Sequence, residues 1–233
     1  MSRCVTLHRM PTSEDIRRMF GAIAWRYDTL NRVLSLGTDR AWRRRTCDLL
    51  AVSPGELGAD LCCGTGDLTL ELTGRGAHVV GVDFSPQMLR LASGKGLRRL
   101  AEADCLRLPF PDGCLDLATV AFGVRNLASL DAGLREILRV LRPGGRAGIL
   151  EFARPSGRLF PHIYRGYLRW VLPAVGAAVS RRREAYRYLG TSIQAFPDQP
   201  RMKGILREAG FDRVTHTDFA RGIAALYIAH RPG

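Results

Sequence analysis

Lysine is nearly absent from this chain: of 35 cationic side chains only Lys95 and Lys203 are lysines, and arginine supplies the rest. Set against 22 acidic groups, these leave a net charge of +13, a surface that favours the phosphates of nucleic acid or of anionic lipid. Arginine in place of lysine also follows from genomic base composition, so charge alone assigns no function. Cysteines at metal or redox spacing are missing as well. Cys4, Cys47, Cys62, Cys63, Cys105 and Cys114 contain no C-x-x-C pair, so the pattern points away from a zinc site or dithiol motif and towards free, buried thiols, with no metal expected. No apolar run is long enough to span a bilayer: Trp170 to Val179 is interrupted by Pro173 and is about half the roughly 20 residues required. No N-terminal stretch combines a basic start, an apolar segment and a small-residue cleavage site. A cytoplasmic protein is expected, with peripheral contact at the inner face of a membrane left open.

What is present is an ordinary globular composition, 46% apolar and 24% charged over 233 residues, enough for one large α/β domain and its appendages. Thr12 and Asp15 can form a capping box ahead of Ile16, Met19, Phe20 and Ile23 on one helical face,. A second helix starts after Gly37, capped by Thr38 or Asp39, with Trp42, Leu49 and Leu50 on one side and Arg43, Arg44 and Arg45 near the other,. Together, about residues 12–51 read as lid helices. From Leu57 onward short apolar runs alternate with helical periods, the pattern of βαβ units and a parallel sheet. Strands are expected at Leu57–Cys62, Ala77–Val82, Leu97–Glu102, Leu115–Phe122 and Arg146–Phe152. A helix at Ser129–Leu141 stops at Pro143-Gly144-Gly145,. About residues 154–200 break the rhythm as a helical insertion. After it come a helix near Gln199–Ala209 and two strands, Val214–Phe219 and Ile223–Ala229, joined as an antiparallel hairpin at the sheet edge. The fold class is therefore a doubly wound, mostly parallel, seven-stranded α/β sheet forming a single domain.

The sharpest local signal is Asp60-Leu61-Cys62-Cys63-Gly64-Thr65-Gly66-Asp67. A strand here runs into a glycine turn, where Gly64 and Gly66 let backbone approach an adenosine-containing ligand. A dinucleotide fingerprint would place a third glycine at residue 69, where Thr69 stands, and Asp67 would oppose a pyrophosphate. S-adenosylmethionine, a sulfonium without phosphate, fits as cofactor. Asp83, before Phe84 and roughly 20 residues after the turn, can bridge ribose hydroxyls. Ser85 and Pro86 read as a helix cap and first turn. Asp104 can accept the adenine amino group and Cys105 can offer its backbone N–H.

These motifs resemble the class I methyltransferases, and further segments are similar to the ubiquinone and menaquinone biosynthesis C-methyltransferases. They are Met19 to Asn31, Phe122-Gly123-Val124-Arg125-Asn126-Leu127, Arg183 to Leu189, Ala195-Phe196-Pro197-Asp198-Gln199 and Gly222 to Leu226. The resemblance implies methyl transfer from S-adenosylmethionine to a ring carbon of a prenylated demethylquinol, with Asp60, Gly64, Thr65, Gly66, Asp83, Phe84, Asp104 and Cys105 at the cofactor. It leaves naphthoquinol and benzoquinol open. Ala121 stands where the family often has serine, which removes one polar contact.

Carbon methylation needs an oriented, electron-rich ring and a base for the departing ring proton. Arg125 and Asn126 follow the fourth strand, where open α/β sheets bind ligands, and Tyr27 comes from the lid. Arg125 is expected to stabilise the quinolate or position a water as base, with Asn126 and Tyr27 orienting the ring. None of His8, His78, His162, His216 and His230 is placed for this task. Apolar and aromatic residues from Phe160 to Val171 interleave with Arg158, Arg165 and Arg169; an interfacial helix against an anionic membrane, a core helix and a homodimer contact all fit. Nucleic acid is not the expected partner, because the fourth strand ends Val120-Ala121-Phe122-Gly123 without the Asn/Asp-Pro-Pro-aromatic corner of base methylation. Methylation of a polyketide or another phenol, and a non-catalytic role, are the remaining alternatives.

Overall fold

The computed structural model describes residues 35, 37–155, 166 and 183–233. The helix expected from Thr12, and with it Tyr27, lies outside the described residues, as does most of the insertion. The helices are α1 (Asp39–Leu49), α2 (Asp67–Thr73), α3 (Pro86–Gly94), α4 (Leu130–Val140), α5 (Arg183–Ala195) and α6 (Gln199–Glu208). The strands are β1 (Leu57–Leu61), β2 (His78–Asp83), β3 (Leu100–Glu102), β4 (Leu115–Ala121), β5 (Leu141–Phe152), β6 (Asp212–Phe219) and β7 (Ala224–His230). They form one seven-stranded sheet in the order β3-β2-β1-β4-β5-β7-β6. The strands β1 to β5 run parallel, and β7 pairs antiparallel with both β5 and β6, which is the doubly wound sheet with an edge hairpin that the patterning predicts. Because helices cover both faces, β4 is buried along nearly its whole length and is mostly apolar, with only Asp116 and Thr119 polar,.

Boundaries shift for physical reasons. Leu97 is not in β3: it is buried against the glycine turn, where a Cβ added at Gly66 would lie 2.2 Å from its Cδ1. Pro143-Gly144-Gly145 neither ends α4, which stops at Val140, nor precedes the strand; β5 already starts at Leu141 and bulges there, its register jumping from Leu115↔Leu141 to Leu117↔Arg146. The C-terminal backbone fills that bulge, with Gly144 donating to the Arg231 carbonyl and Arg231 to that of Gly145. Ser129, Ser85 and Asp198 cap α4, α3 and α6 through their side chains. Thr38 holds the N-cap position of α1 but makes no side-chain cap bond; its hydroxyl donates to the Ser35 carbonyl instead.

The core has a large cluster on one face, built from α4, α6 and the strands, and an aromatic cluster on the other. In the latter Trp42 of α1 stacks on Phe219, and Phe122 meets Phe152 with ring centroids 4.6 Å apart. Trp42 thus behaves as its helical face predicts. Arg43 does not: it is buried, pairs with Asp39 at 2.5 Å and lies over the Phe122 ring, while Arg44 and Arg45 are exposed. Its aliphatic stem shares the inward stripe with Trp42, and the buried Asp39 answers its charge.

Candidate active site

The strand order reverses direction at β1, whose neighbours are β2 and β4, so a crevice opens at the carboxyl ends of these strands. Two non-glycine residues with positive φ stand there, Cys62 after β1 (φ 50°) and Phe122 after β4 (φ 58°). Gly123 lets the two strand ends approach, since a Cβ there would lie 2.4 Å from Cys62 Cβ. The resulting cleft, about 670 Å³, is lined by Cys62, Gly64, Asp83, Phe84, Asp104, Cys105, Phe122, Asn126 and apolar neighbours. A more polar recess of about 300 Å³ adjoins it through Cys62 and Gly64 and is lined by Arg43, Asp60, Thr65 and Asp67 among others.

Asp83 ends β2, and its carboxylate accepts the Gly64 and Ser85 backbone N–H groups, both at 2.9 Å. Burial still holds its pKa above the ordinary carboxylate range. Asp60 on β1 is enclosed: Thr69 and Thr119 donate to its two oxygens at 2.6 and 2.8 Å, and burial pushes it up to about 6. Gly64 and Gly66 both take positive φ in the turn that follows. Thr65 and Asp67 are arranged differently from the simplest expectation. Lys95 at the end of α3 reaches back to both, at 2.9 and 2.6 Å. The Asp67 charge invoked for a cationic ligand is therefore met by one of the chain's two lysines. Asp60, lining the recess beside the turn, is the carboxylate that would oppose a pyrophosphate there. After β3 Asp104 accepts the Leu106 N–H at 2.9 Å, and Cys105 Sγ lies 3.3 Å from Cys62 Sγ. Burial pushes the Cys63 thiol up, and the bond to Cys105 does so first for Cys62. Neither is an activated nucleophile.

The greatest departure concerns Arg125. Its side chain is 4% exposed, paired with the fully buried Glu151 of β5, and donates to the Phe122 carbonyl at 2.7 Å. It does not line the cleft. A carboxylate with no access to water requires a cation beside it, and Glu151 claims the guanidinium; the Arg125 N–H also donates to Glu151. Asn126 does line the cleft, and Tyr188 of α5 donates to its Oδ1 at 3.1 Å. Arg43, Glu151 and Tyr188 were missed by sequence reasoning. Only Tyr188 carried a signal, as part of a segment on which the family resemblance rests.

The donor set tests the cofactor. Acidic groups line a glycine turn, one arginine reaches the polar recess, and the main cleft is otherwise apolar; this suits a nucleoside with a cationic amino-acid tail and no phosphate. Such a site on such a sheet belongs to the S-adenosylmethionine-dependent methyltransferases. Within that class the chain belongs to the ubiE/COQ5 methyltransferase family, which matches residues 9–231. It is 47% identical over 221 residues to the demethylmenaquinone methyltransferase of Thermus thermophilus, covering 92% of this chain and 100% of that one. To the enzyme of the same name from Mycolicibacterium vanbaalenii it is 44% identical over 215 residues, covering 92% and 94%. Its fold is similar to that of a SAM-dependent methyltransferase from Thermotoga maritima, with a TM-score of 0.68 at 15% identity over 92% of this chain and 99% of that one.

Proposed function

We propose that this methyltransferase transfers the methyl group of S-adenosylmethionine to a ring carbon of a prenylated demethylnaphthoquinol, in menaquinone biosynthesis. The observation that carries this reading is the end-to-end match to the Thermus thermophilus demethylmenaquinone methyltransferase at 47% identity. Asp83, Phe84, Asp104 and Cys105 line the cleft and would hold the nucleoside; Arg43 and Asp60 line the recess and would hold the amino-acid end across the Gly64-Thr65-Gly66 turn. The cofactor, when bound, supplies an electrophilic methyl group on its sulfonium.

The chain's own work is to orient the ring and exclude water. Asn126 and the apolar wall of Phe122 and Leu127 stand where the ring would lie, and Tyr27 remains a candidate to orient it from the lid. Arg125 takes a changed role, as a positioning residue: locked to Glu151 and the Phe122 carbonyl, it holds the turn that presents Asn126. Among the described residues no helix is long and apolar enough to cross a membrane. A lipid-borne substrate would be reached by peripheral contact, for which the net charge of +13 gives an attraction to anionic headgroups.

Incubation with methyl-labelled cofactor and chemically reduced demethylmenaquinone should place one labelled methyl on the ring, located by mass spectrometry, in preference to a demethylated benzoquinol. An unlabelled naphthoquinol ring beside a labelled alternative acceptor would overturn the substrate.

A further inference from the structure

Asn126 closes a one-turn 3-10 helix, Val124–Asn126, whose backbone is pinned by the Asn126 N–H donating to the Gly123 carbonyl at 3.0 Å. The backbone position is thus set, but the side-chain amide can still turn end over end. An asparagine amide offers an acceptor oxygen on one side and two N–H donors on the other. The two orientations present opposite polarity to a ligand.

We propose that Tyr188 is a positioning residue that fixes this orientation, turning the Asn126 NH2 group toward the cleft as the donor to the quinol oxygen beside the carbon that is methylated. The inference deepens the function proposed above and rests on it. Tyr188 Oη lies 3.1 Å from Asn126 Oδ1. Burial holds the phenol above its ordinary pKa, so it keeps its proton, and the bond it makes to the amide is the one in which that proton is donated to Oδ1,. With Oδ1 accepting from the phenol, the donors point the other way, and the amide nitrogen has no partner among the described residues. Among the described residues no other side chain lining the cleft carries an N–H group. Arg125 cannot substitute, being tied to Glu151.

The polarity matters because a quinol oxygen gains negative charge as its ring carbon becomes nucleophilic. A preset N–H donor favours that charge, whereas the amide oxygen would repel it. Removing the phenol hydroxyl frees the amide to spend part of its time in the wrong orientation. Tyr188 stands 62 residues from Asn126 in sequence, on the helix that follows the insertion, so docking of α5 sets the polarity of this wall.

Steady-state kinetics with reduced demethylmenaquinone test the proposal. Tyr188→Phe should lower kcat about tenfold and Asn126→Ala about a hundredfold, with cofactor affinity by calorimetry unchanged in the former. The double variant should be no slower than Asn126→Ala, because the phenol acts only through the amide. A merely structural tyrosine would instead give multiplying losses, and that result overturns the proposal, as does a Tyr188→Phe enzyme within twofold of wild type. Should Tyr188→Phe not fold, Asn126→Asp decides. Its carboxylate lacks a donor, and its activity relative to wild type should recover as pH falls and the carboxyl gains a proton; a ratio flat with pH sinks the idea. If the wild-type enzyme leaves demethylmenaquinol unmethylated, the substrate reading fails and this role with it. Turnover by wild type with an indifferent Tyr188→Phe removes the role alone.

Discussion

Asp60 shows how far a single buried group can be read. Its carboxylate is enclosed by Thr69 and Thr119, and burial lifts it from 3.8 to about 6. The folded chain therefore holds a proton there that the unfolded chain releases. This contribution to stability is fully present below about 3.8 and is lost as pH rises through about 6,. Asp60→Asn lacks the titration, so its melting temperature relative to wild type should rise between pH 4 and pH 7, by the equivalent of roughly 2–3 kcal/mol. Thermal melts across that range check it, and a difference constant with pH contradicts the assigned environment.

Elements are held by local devices of unequal quality. Asp198 caps α6 by accepting the Arg201 N–H at 3.0 Å, while Ser85 caps α3 through a long 3.5 Å contact with Met88 N–H. The aspartate also places a negative charge at a helix N-terminus. Asp198→Ala should cost about 1 kcal/mol and Ser85→Ala about half of that, measured by urea denaturation. The reverse order would mean that contacts beyond the caps dominate both sites. Sheet edges follow similar logic: β3 has three residues, Leu100–Glu102, and pairs only with β2, a short edge that offers little template for pairing with another chain.

At the scale of the whole molecule, arginines join segments of the described chain that are distant in sequence. Arg146 bridges the Leu50 and Ala51 carbonyls and Glu56, and Arg231 ties the C-terminus to the end of α4 and the start of β5 through the carbonyls of Leu138, Arg139 and Leu141. Planar guanidinium forks suit such multiple acceptors in a way that an ammonium does not. Much of the cation is thus structural, but the surplus of +13 remains. Co-sedimentation should find the protein on vesicles containing anionic phospholipid, with binding falling steeply between low and physiological salt. Equal retention on neutral vesicles would replace charge with apolar insertion as the cause.

The chain by itself determined what depends on near neighbours in sequence. Gly64 and Gly66 mark a turn because positive φ is a property of the residue,; Ser129 and Asp198 cap helices because their partners lie three residues on; β4 reads as buried because five of its seven residues are apolar. Hence the strand order's ingredients, the glycine turn and the acids on β1 and at the end of β2 were legible. Partnerships across the fold were not. Lys95 meets Asp67 from 28 residues away, Glu151 claims Arg125 from 26, and Tyr188 turns the Asn126 amide from 62. Which charge a buried group pairs with is set by what packing brings within a few ångströms, and no local periodicity encodes that choice.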